Sequence, residues 1–529
     1  MSSIYGIFGG SHDASTSLIV DGKIISCVEE ERISRIKAGN NYHSIPNLSL
    51  TTIQQTTGLS LEDADHLVVS ALPPSTFVDS LNKPYEVYDH HHCHAAGTYY
   101  TSGMGGKVLV ITMDGGGVDN AFTIYLAENG EMNRVHSDKW SSSGQISQVW
   151  GYSLHGIHGA NENGEFIWKM CKDEGKLMGM APDGVFDEQI YKFLKQLVDY
   201  NNLEFYPIDT MGRTRFVAEQ MRRNGWFDTP QKISNFANTL QHYTEELFLK
   251  FLSDVHKRYP QYSKIALAGG LFANVKLNQK INQLDWVDEI YVYPAMGDNG
   301  LSLGAAILKC RELGEGFQTP QSFDKVYFGL KYTNGQIYDM SKKWGLQTKP
   351  YIPSQIGKSL NEGQIIGWFR DGFEYGPRAL GARSILVRPT DVSTHKELNE
   401  RLKRYDTMPF APMVLADYFD DIFVETKSKY TAEFMTLCYD TKDEWVDKIP
   451  AVIQKSDKTA RPQIVRKDKL PKVWEVINEY YKLSGIPVVL NTSFNAHNEP
   501  IINSPDEAFI HLKNGIIDQL VIEDYVYFR

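Results

Sequence analysis

One local pattern recurs along the sequence: an apolar run typical of a β-strand is followed at once by a glycine-containing turn. The clearest examples are SIYGIFG, KVLVITM before DGGG, KIALAGG, and EIYVYP before AMGDNG. Such a turn presents backbone N–H groups to phosphates, although one turn alone is weak evidence. Four of them predict an α/β nucleotide-binding domain made of two related halves.

The composition is that of a soluble globular protein. The chain has 529 residues, enough for two or three domains, of which 42% are hydrophobic and 22% charged. The N-terminus lacks the basic start and apolar core of a signal peptide, and no apolar run approaches membrane-spanning length. The five cysteines are widely spaced, so we expect reduced thiols in a cytoplasmic protein with no membrane partner.

The charge distribution favours a small anionic ligand over a polymeric one. A net charge of −11 gives no global attraction for nucleic acid or acidic membranes. Basic residues nevertheless crowd the stretch 378–404, where Arg378 and Arg383 flank a turn and Lys403 lies on a predicted helix. Guanidinium groups suit phosphate and carboxylate oxygens, and the alternative is a solvated basic surface.

A change of character around 313–355 predicts a domain boundary near residue 345. The second block contains the strand GIPVVLNTSFN, whose polar end is typical of a site, and a helix over SPDEAFIHLKN. Ser504 and Glu507 predict a capping box for that helix. In the first block, ISNFANTLQHYTEELFLKFLSDVHKRY predicts a long helix.

Four histidines stand in the stretch DHHHCHAAG, and one pair has the spacing of metal ligands. His90 and His94 are four residues apart, so on a helix both side chains lie on one face. Two imidazoles do not close a site, and Asp114 and Asp298, each at a glycine turn after a strand, are the natural carboxylate ligands. This His₂Asp₂ set suits iron, manganese or zinc. The alternative is a surface histidine cluster with both aspartates serving their turns.

Three further segments carry charged or titratable residues, and two of them have two interpretations each. His12 and Asp13 follow the first strand and form either an acid/base pair or a turn. The segment VEEERISRIKAG mixes acids and bases in a way typical of a solvated face. In DEGKLMGMAPDG, Lys176 is available for a phosphate, or the segment is a packed loop. We give His91 and His92 no metal role, and we expect Cys93 to be a packed thiol.

Nine ordered motifs, covering nearly the whole chain, resemble the O-carbamoyltransferase family of NodU, CmcH and TobZ. They are HDAS with DGKIISCVEEERISRIK, HHHCHAA, MDGGG, EGKLMGMAPDG, AGGLFANVKLN, GDNGLSLGAA, YGPRALGARSIL, PFAPMVL, and LNTSFN with NEPI. An ordered set of this kind is far more specific than any one of its members.

The resemblance implies an α/β fold with two domains. Residues 1–345 would form an actin-like, sugar-kinase-type, duplicated domain, and residues 346–529 an α+β YrdC-like domain. It also implies ATP-dependent O-carbamoyl transfer: carbamoyl phosphate and ATP give carbamoyl-adenylate in the second domain. The carbamoyl group then passes to an acceptor hydroxyl in the first domain, and AMP leaves. The implied cofactors are Fe²⁺ at the metal site, with manganese or zinc as alternatives, and Mg²⁺ with ATP.

The functional positions of the family match residues in both domains. The metal ligands match His90, His94, Asp114 and Asp298, the four that spacing selects, and His12 matches a histidine beside the acceptor hydroxyl, suited to a general base. The other catalytic matches are Lys37, Lys403 and Arg378. The matches that bind ATP, adenylate or carbamoyl phosphate are Gly115, Gly116, Lys176, Gly269, Gly270, Asn274, Arg383, Asn491, Ser493 and Asn495.

The C-terminal motifs depart from the family pattern at two points. Met408 stands where arginine is usual, in a shortened stretch RYDTMPFAP, and Asn498 replaces the usual glycine before Glu499. We expect Arg404 or Arg461 to supply the missing guanidinium at the phosphates.

The acceptor hydroxyl stays open at this level. It belongs to a sugar, an antibiotic or other natural product, or a hydroxymethyl pyrimidine of a nucleotide or of DNA, and the acidic net charge disfavours polymeric DNA. We expect a monomer or homodimer. The alternative function is a nucleotide-dependent binding or regulatory protein that keeps the actin-like fold without transfer.

Overall fold

The computed structural model describes residues 2–10, 12–38, 45–71, 83–117, 120–138, 149–150, 174–207, 214–403, 410–424, 426–496 and 499–529. The chain divides into two compact units, one formed by Met1–Leu67 and Phe323–Arg529 and the other by Val68–Ser322. The domain boundary near residue 345 rests on the sequence motifs and stays a prediction.

Two five-stranded sheets in the first part of the chain share one topology. Their strands are β1 (Ser3–Phe8), β2 (Ser15–Val20), β3 (Lys23–Glu29), β4 (His66–Ser70) and β5 (Glu86–Tyr88), then β6 (Val108–Met113), β7 (Phe122–Glu128), β8 (Glu131–Ser137), β11 (Lys264–Ala268) and β12 (Glu289–Val292). The orders are β3-β2-β1-β4-β5 and β8-β7-β6-β11-β12. In each sheet the first three strands form an antiparallel meander, and the last two strands are parallel to each other. This repeated order confirms the predicted α/β fold with two related halves.

Helices and a small hairpin accompany these sheets. The hairpin is β9 (Val198–Asn201) with β10 (Glu204–Pro207). The helices are α1 (Glu30–Ser34), α2 (Asn47–Thr57), α3 (His90–Thr101), α4 (Glu174–Met180), α5 (Glu188–Leu194), α6 (Thr214–Arg223), α7 (Pro230–Arg258), α8 (Val275–Asn282) and α9 (Leu301–Glu312). Helix α7 confirms the long helix predicted from apolar periodicity. Strands β1 and β6 are buried along their whole length, as central strands covered on both faces are.

The C-terminal part of the chain is built on a mixed eight-stranded sheet. Its strands are β13 (Gln347–Pro350), β14 (Ile366–Phe369), β15 (Arg383–Val387), β16 (Ala411–Leu415), β19 (Gln463–Val465), β20 (Val488–Ser493), β21 (Gln519–Ile522) and β22 (Tyr525–Phe528). They lie in the order β13-β22-β21-β14-β15-β20-β16-β19, and a separate pair joins β17 (Tyr439–Asp440) to β18 (Thr459–Ala460). Strand β20, which carries the motif LNTSFN, is therefore an inner strand.

Helices pack on this sheet and close its core. They are α10 (Asn334–Lys342), α11 (Pro353–Asn361), α12 (Val392–Leu402), α13 (Phe419–Ile422), α14 (Lys429–Ala432), α15 (Asp443–Val446), α16 (Pro471–Ser484) and α17 (Pro505–Lys513). One core cluster joins α11 and α16 to Trp368 of β14 and Val489 of β20. Ser504 and Glu507 form the predicted capping box of α17. In the part of the chain that the structure describes, no helix is both long and apolar enough to cross a membrane.

Candidate metal centre and anion site

The histidine pair lies on the first turns of α3. The Asp89 side chain caps this helix by accepting a hydrogen bond from the His92 N–H at 2.8 Å. His90 and His94 are both buried, at 0% and 1% exposure. Because they are four residues apart on a helix, their imidazoles lie on one face, as the spacing predicts.

Asp114 directly follows β6, and two backbone amides orient its carboxylate. The Gly115 N–H donates to Oδ1 at 2.5 Å, and the Gly270 N–H donates to Oδ2 at 2.6 Å. The residue before Gly270 must be glycine: Gly269 has φ +106°, and a Cβ there would lie 2.0 Å from the Met113 carbonyl oxygen. The two glycine turns therefore meet at Asp114.

Asp298 begins a short 3₁₀ turn, Asp298–Gly300, that leads into α9. Strands β6 and β12 both pair in parallel with β11, so their carboxyl ends lie at one edge of the sheet. Helix α9 packs closely against α3, since a Cβ on Gly304 would lie 2.0 Å from the Cys93 carbonyl oxygen. This contact fixes the position of Asp298 relative to the histidines.

The four side chains form one cluster whose ligand atoms all lie within 4.8 Å of one another. His94 Nε2 lies 3.4 Å from Asp114 Oδ2 and 3.5 Å from Asp298 Oδ1, and His90 Nε2 lies 3.6 Å from Asp298 Oδ1. Two ligands about 2.1 Å from one tetrahedral ion are about 3.4 Å apart, which is close to these separations. The residues therefore fit a divalent cation held by two nitrogens and two oxygens.

The electrostatics of the cluster favour positive charge at its centre. Burial lowers the pKa of His94, but the carboxylates of Asp114 and Asp298 outweigh burial and raise it to about 9. Burial raises the pKa of Asp114, and the neighbouring His94 more than offsets this, so that pKa lies well below its usual range. Burying two carboxylates side by side costs free energy that a bound cation would offset.

The remaining residues of the histidine stretch lie outside this cluster. His91 is fully buried, with Nδ1 2.8 Å from Thr112 Oγ1 and Nε2 3.2 Å from the Asn120 carbonyl oxygen. Burial lowers its pKa to about 4. His91 is thus held by protein groups, and Cys93 is buried in the helix contact described above.

The other residues predicted in unit Val68–Ser322 lie near this centre or serve the helices. Gly115 and Gly270 donate to the Asp114 carboxylate as described, and Gly116 is half-buried in the turn after Asp114. Asn274 caps α8 by accepting from the Leu277 N–H at 3.0 Å, and it exchanges two hydrogen bonds with Gln241. Lys176 lies on α4. Nucleotide contacts of these residues stay predictions.

A second cluster, which we call the anion site, lies at the carboxyl end of β20 in the other unit. It consists of Arg378, Arg461 and Asn491. Burial and, to a smaller extent, the nearby charge of Arg461 lower the pKa of Arg378 to about 9. Burial also lowers the pKa of Arg461. Among the described residues no carboxylate pairs with either guanidinium, so an anion is the partner that both lack.

Asn491 completes the anion site. Its Nδ2 donates to the carbonyl of Ala379, the neighbour of Arg378, at 2.8 Å. Its Oδ1 is buried and accepts no hydrogen bond from the described residues. The Asn491 Oδ1 atom suits a ligand that carries an N–H donor, and Arg378 and Arg461 suit a ligand that is anionic.

The loop that presents Arg378 is anchored by Glu374, a residue that the sequence did not single out. The Glu374 side chain is fully buried, and its Oε1 accepts from the N–H groups of Leu380, Ala382 and Arg383 at 2.7–2.9 Å. The Leu380 carbonyl in turn accepts from Gln463 Nε2 at 2.8 Å. Only the acidic residue before GPRALG hinted at this role.

The other predicted C-terminal residues differ in their surroundings. Arg383 is fully buried, stacks on Phe369 with 3.5 Å to the ring centre, and donates to the carbonyls of Leu330, Arg370, Asp371 and Ala382. These contacts are structural, and a ligand role for Arg383 stays a prediction.

Ser493 Oγ donates to Asn495 Oδ1 at 2.5 Å. Lys403 is exposed and ends α12 in the left-handed conformation. Arg404 and Met408 lie outside the described residues.

The first predicted catalytic pair lies in the turn between β1 and β2. His12 Nδ1 is 3.0 Å from Asp13 Oδ2, and the His12 side chain is 32% exposed. Asp13 has φ +57°, an uncommon conformation for a non-glycine residue. Lys37 is half-buried and precedes Ala38, whose carbonyl accepts from the Asp13 N–H at 2.8 Å. The base role of His12 stays a prediction.

The expectation of a solvated face for residues 28–39 is wrong. Glu29, Glu30 and Arg32 are buried, with 3%, 1% and 0% exposure. Arg32 Nε lies 3.1 Å from Glu29 Oε2, and the Glu30 carboxylate accepts from two N–H groups at the start of α2. Pairing removes most of the cost of burying these charges.

Two family models match the chain. One, described as the carbamoyltransferase N-terminus, matches residues 76–307, and the other, described as the carbamoyltransferase C-terminus, matches residues 357–529. The chain belongs to the carbamoyltransferase family. The protein is therefore a carbamoyltransferase enzyme, as the motifs predicted.

Relatives cover both domains. The Uncharacterized protein MJ1058 of Methanocaldococcus jannaschii is 31% identical over 84% of this chain and 74% of its own length. Nodulation protein NolNO of Sinorhizobium fredii is 28% identical over 97% of this chain and 78% of its own length. Component A of the (R)-2-hydroxyglutaryl-CoA dehydratase of Acidaminococcus fermentans is a solved structure that is 14% identical. It covers 59% of this chain and 100% of its own, with a TM-score of 0.38.

Proposed function

We propose that this carbamoyltransferase uses ATP and carbamoyl phosphate, and that it forms carbamoyl-adenylate at the anion site. The observation that carries the proposal is the pair of half-buried arginines, Arg378 and Arg461, neither of which has a carboxylate partner among the described residues. A phosphate group would supply the missing negative charge to both. The open Oδ1 of Asn491 would accept from the carbamoyl N–H₂ group.

Carbamoyl-adenylate would form in two reactions. Water first cleaves the P–O bond of carbamoyl phosphate, which releases inorganic phosphate and leaves carbamate. A carbamate oxygen then bonds to the α-phosphorus of ATP, and pyrophosphate leaves. Arg378, Arg461 and the predicted Lys403 would hold the phosphate oxygens and stabilise the charge that develops on them.

The transfer step needs a base and a site for the adenylate. The acceptor hydroxyl oxygen attacks the carbamoyl carbon, AMP leaves, and the hydroxyl proton passes to His12, the proposed general base. Gly115, Gly116, Gly269, Gly270 and Asn274 are the proposed adenylate-binding residues, with Lys37 and Lys176 as proposed cationic contacts.

His90, His94, Asp114 and Asp298 would hold a divalent cation, which we propose to be Fe²⁺, with Mn²⁺ or Zn²⁺ as alternatives. Such a cation supplies Lewis acidity to the oxygens of the carbamoyl-adenylate. The amides of Gly115 and Gly270 would keep the Asp114 carboxylate in its ligand orientation. Mg²⁺ is the expected companion of ATP.

The test is a reaction of the purified protein with Fe²⁺, Mg²⁺, ATP, carbamoyl phosphate and a panel of acceptors. The panel contains aminoglycosides, chitooligosaccharides, and DNA with 5-hydroxymethylcytosine. We expect AMP, pyrophosphate and one acceptor heavier by a single carbamoyl group in mass spectrometry. Arg378→Gln should lose pyrophosphate release. Nucleotide binding without any AMP or pyrophosphate would instead support the regulatory alternative.

A further inference from the structure

Helix α1 lies between β3 and residue Lys37, and it contacts two loops of the C-terminal sheet within the same compact unit. Both loops carry residues of the proposed ATP and carbamoyl phosphate site. The segment lies outside the ranges 76–307 and 357–529 that the family models match.

The first contact binds both backbone polar groups of one residue in the Arg378 loop. Glu29 Oε1 accepts from the Gly376 N–H at 2.8 Å, and Arg32 Nη2 donates to the Gly376 carbonyl at 2.6 Å. Glu29 and Arg32 also bind each other at 3.1 Å, with both side chains nearly inaccessible to water. A buried ion pair that holds both polar groups of one residue fixes the loop two residues before Arg378.

The second contact holds the segment after β20. Arg35 Nη1 donates to the Ile501 carbonyl at 2.7 Å, and Nη2 donates to the Pro500 carbonyl at 2.9 Å. Arg35 Nε also pairs with the Glu507 carboxylate of α17. The same segment reaches the site through Asn495, whose Nδ2 donates to the Glu499 carbonyl at 2.6 Å.

We propose that Glu29, Arg32 and Arg35 form a clamp for carbamoyl-adenylate formation. The clamp would position the loop between β14 and β15, which carries Arg378, and the loop after β20, which carries Asn495. The proposal rests on the proposed function. None of the three side chains needs to contact substrate, so they are positioning residues. The three side chains bind carbonyl and amide groups of the two loops. The planar guanidinium of Arg35 donates to two successive carbonyls, which a lysine ammonium cannot do in the same geometry.

The test is a double-mutant cycle on the rate of pyrophosphate release in the full chain. Arg35→Gln removes the contacts with Pro500 and Ile501, and Asn495→Ser removes the bond to Glu499. A displacement of about 1 Å at a reacting group costs up to about 100-fold in rate, so we expect Arg35→Gln to lower kcat by about 10- to 100-fold. If Arg35 acts through Asn495, the same change lowers kcat by less than about threefold in the Asn495→Ser background.

The matched control is Arg388→Gln. Arg388 is 33% exposed against 30% for Arg35, and it also donates to a carbonyl and approaches a carboxylate, those of Asn361 and Asp391. We expect it to change kcat by less than about twofold in either background.

Equal losses from Arg35→Gln in both backgrounds, or no loss at all, would overturn the clamp, because general destabilisation gives additive effects. If Arg35→Gln does not fold, as judged by circular dichroism, Arg35→Lys replaces it. Lysine keeps the charge beside Glu507 but reaches one carbonyl, and it should give a smaller loss that again disappears with Asn495→Ser. A wild-type protein that releases no pyrophosphate would instead refute the proposed function itself.

Discussion

The contact between α3 and α9 gives the sharpest test of how the fold builds the metal centre. Gly304→Ala would place a Cβ 2.0 Å from the Cys93 carbonyl oxygen, where an ordinary contact is at least 3.4 Å. The atoms that clash with this Cβ are backbone atoms of Cys93 in α3, which cannot rotate away as a side chain could. Helices α3 and α9 must therefore separate by about 1.4 Å. Helix α3 carries both histidines, and α9 follows directly from Asp298.

The expected loss of metal affinity follows from how small a ligand displacement a metal site tolerates. Bond lengths at such a site are fixed to about 0.2 Å, so a shift of about 1 Å between Asp298 and the histidines exceeds what the ligands can absorb. We expect the dissociation constant for Zn²⁺, measured by competition with a chromophoric chelator, to rise at least 10-fold. Overpacking should also lower the free energy of unfolding by about 1–3 kcal/mol.

Two other glycines of the same unit calibrate the effect. Around Gly105 no atom of the described residues lies within 4 Å of an added Cβ, so Gly105→Ala should bind Zn²⁺ as the wild type does. At Gly97 the added Cβ would meet the Tyr293 ring at 3.0 Å, and Gly97→Ala should fall between the two. If Gly304→Ala keeps full affinity while its unfolding midpoint drops, the α3–α9 contact does not set the geometry of the site.

Three further predictions test single residues. His94→Ala should abolish bound metal in elemental analysis. His91→Ala should keep the metal and lose at least about 1–3 kcal/mol of stability, because the hydrogen bonds to Thr112 and Asn120 and the packing of a buried ring are lost while no metal ligand is; equal metal loss in both would contradict the assignment. Lys403→Ala should abolish AMP formation from ATP and carbamoyl phosphate, and unchanged AMP release would remove Lys403 from the mechanism. Burial raises the pKa of Asp138 from 3.8 to about 6. The folded state therefore binds more protons between those values, and stability should fall by up to about 3 kcal/mol as pH rises through 4–6; Asp138→Asn should remove that slope in chemical denaturation.

The metal cluster was predictable because each of its signals is local. His90 and His94 need only helical spacing, and Asp114 and Asp298 need only to follow buried strands at glycine turns. Once those strands, β6 and β12, lie parallel on either side of β11, their carboxyl ends meet at one sheet edge. No long-range information beyond the sheet order was required.

Arg383 and the segment 28–39 have surroundings that local signals do not predict. The ligand role of Arg383 stays a prediction, and its guanidinium donates to four carbonyls between Leu330 and Ala382. Charge alone made VEEERISRIKAG resemble a surface, yet its partners Gly376, Pro500 and Ile501 lie 344 to 466 residues away along the chain. A composition rule cannot distinguish a charge paired at such separations from one in water.

The sequence alone was enough to predict the α/β class with two related halves, the family and the four clustered side chains. These depend on hydrophobic period, turn chemistry and ordered motifs, which are written in neighbouring residues. The structure was needed to show that Glu374 organises the Arg378 loop, that Arg378 and Arg461 have no carboxylate partner among the described residues, and that residues flanking and within α1 bind two loops far away in sequence. Each of these depends on which charged groups pack together, and that is settled when segments far apart in sequence pack against one another.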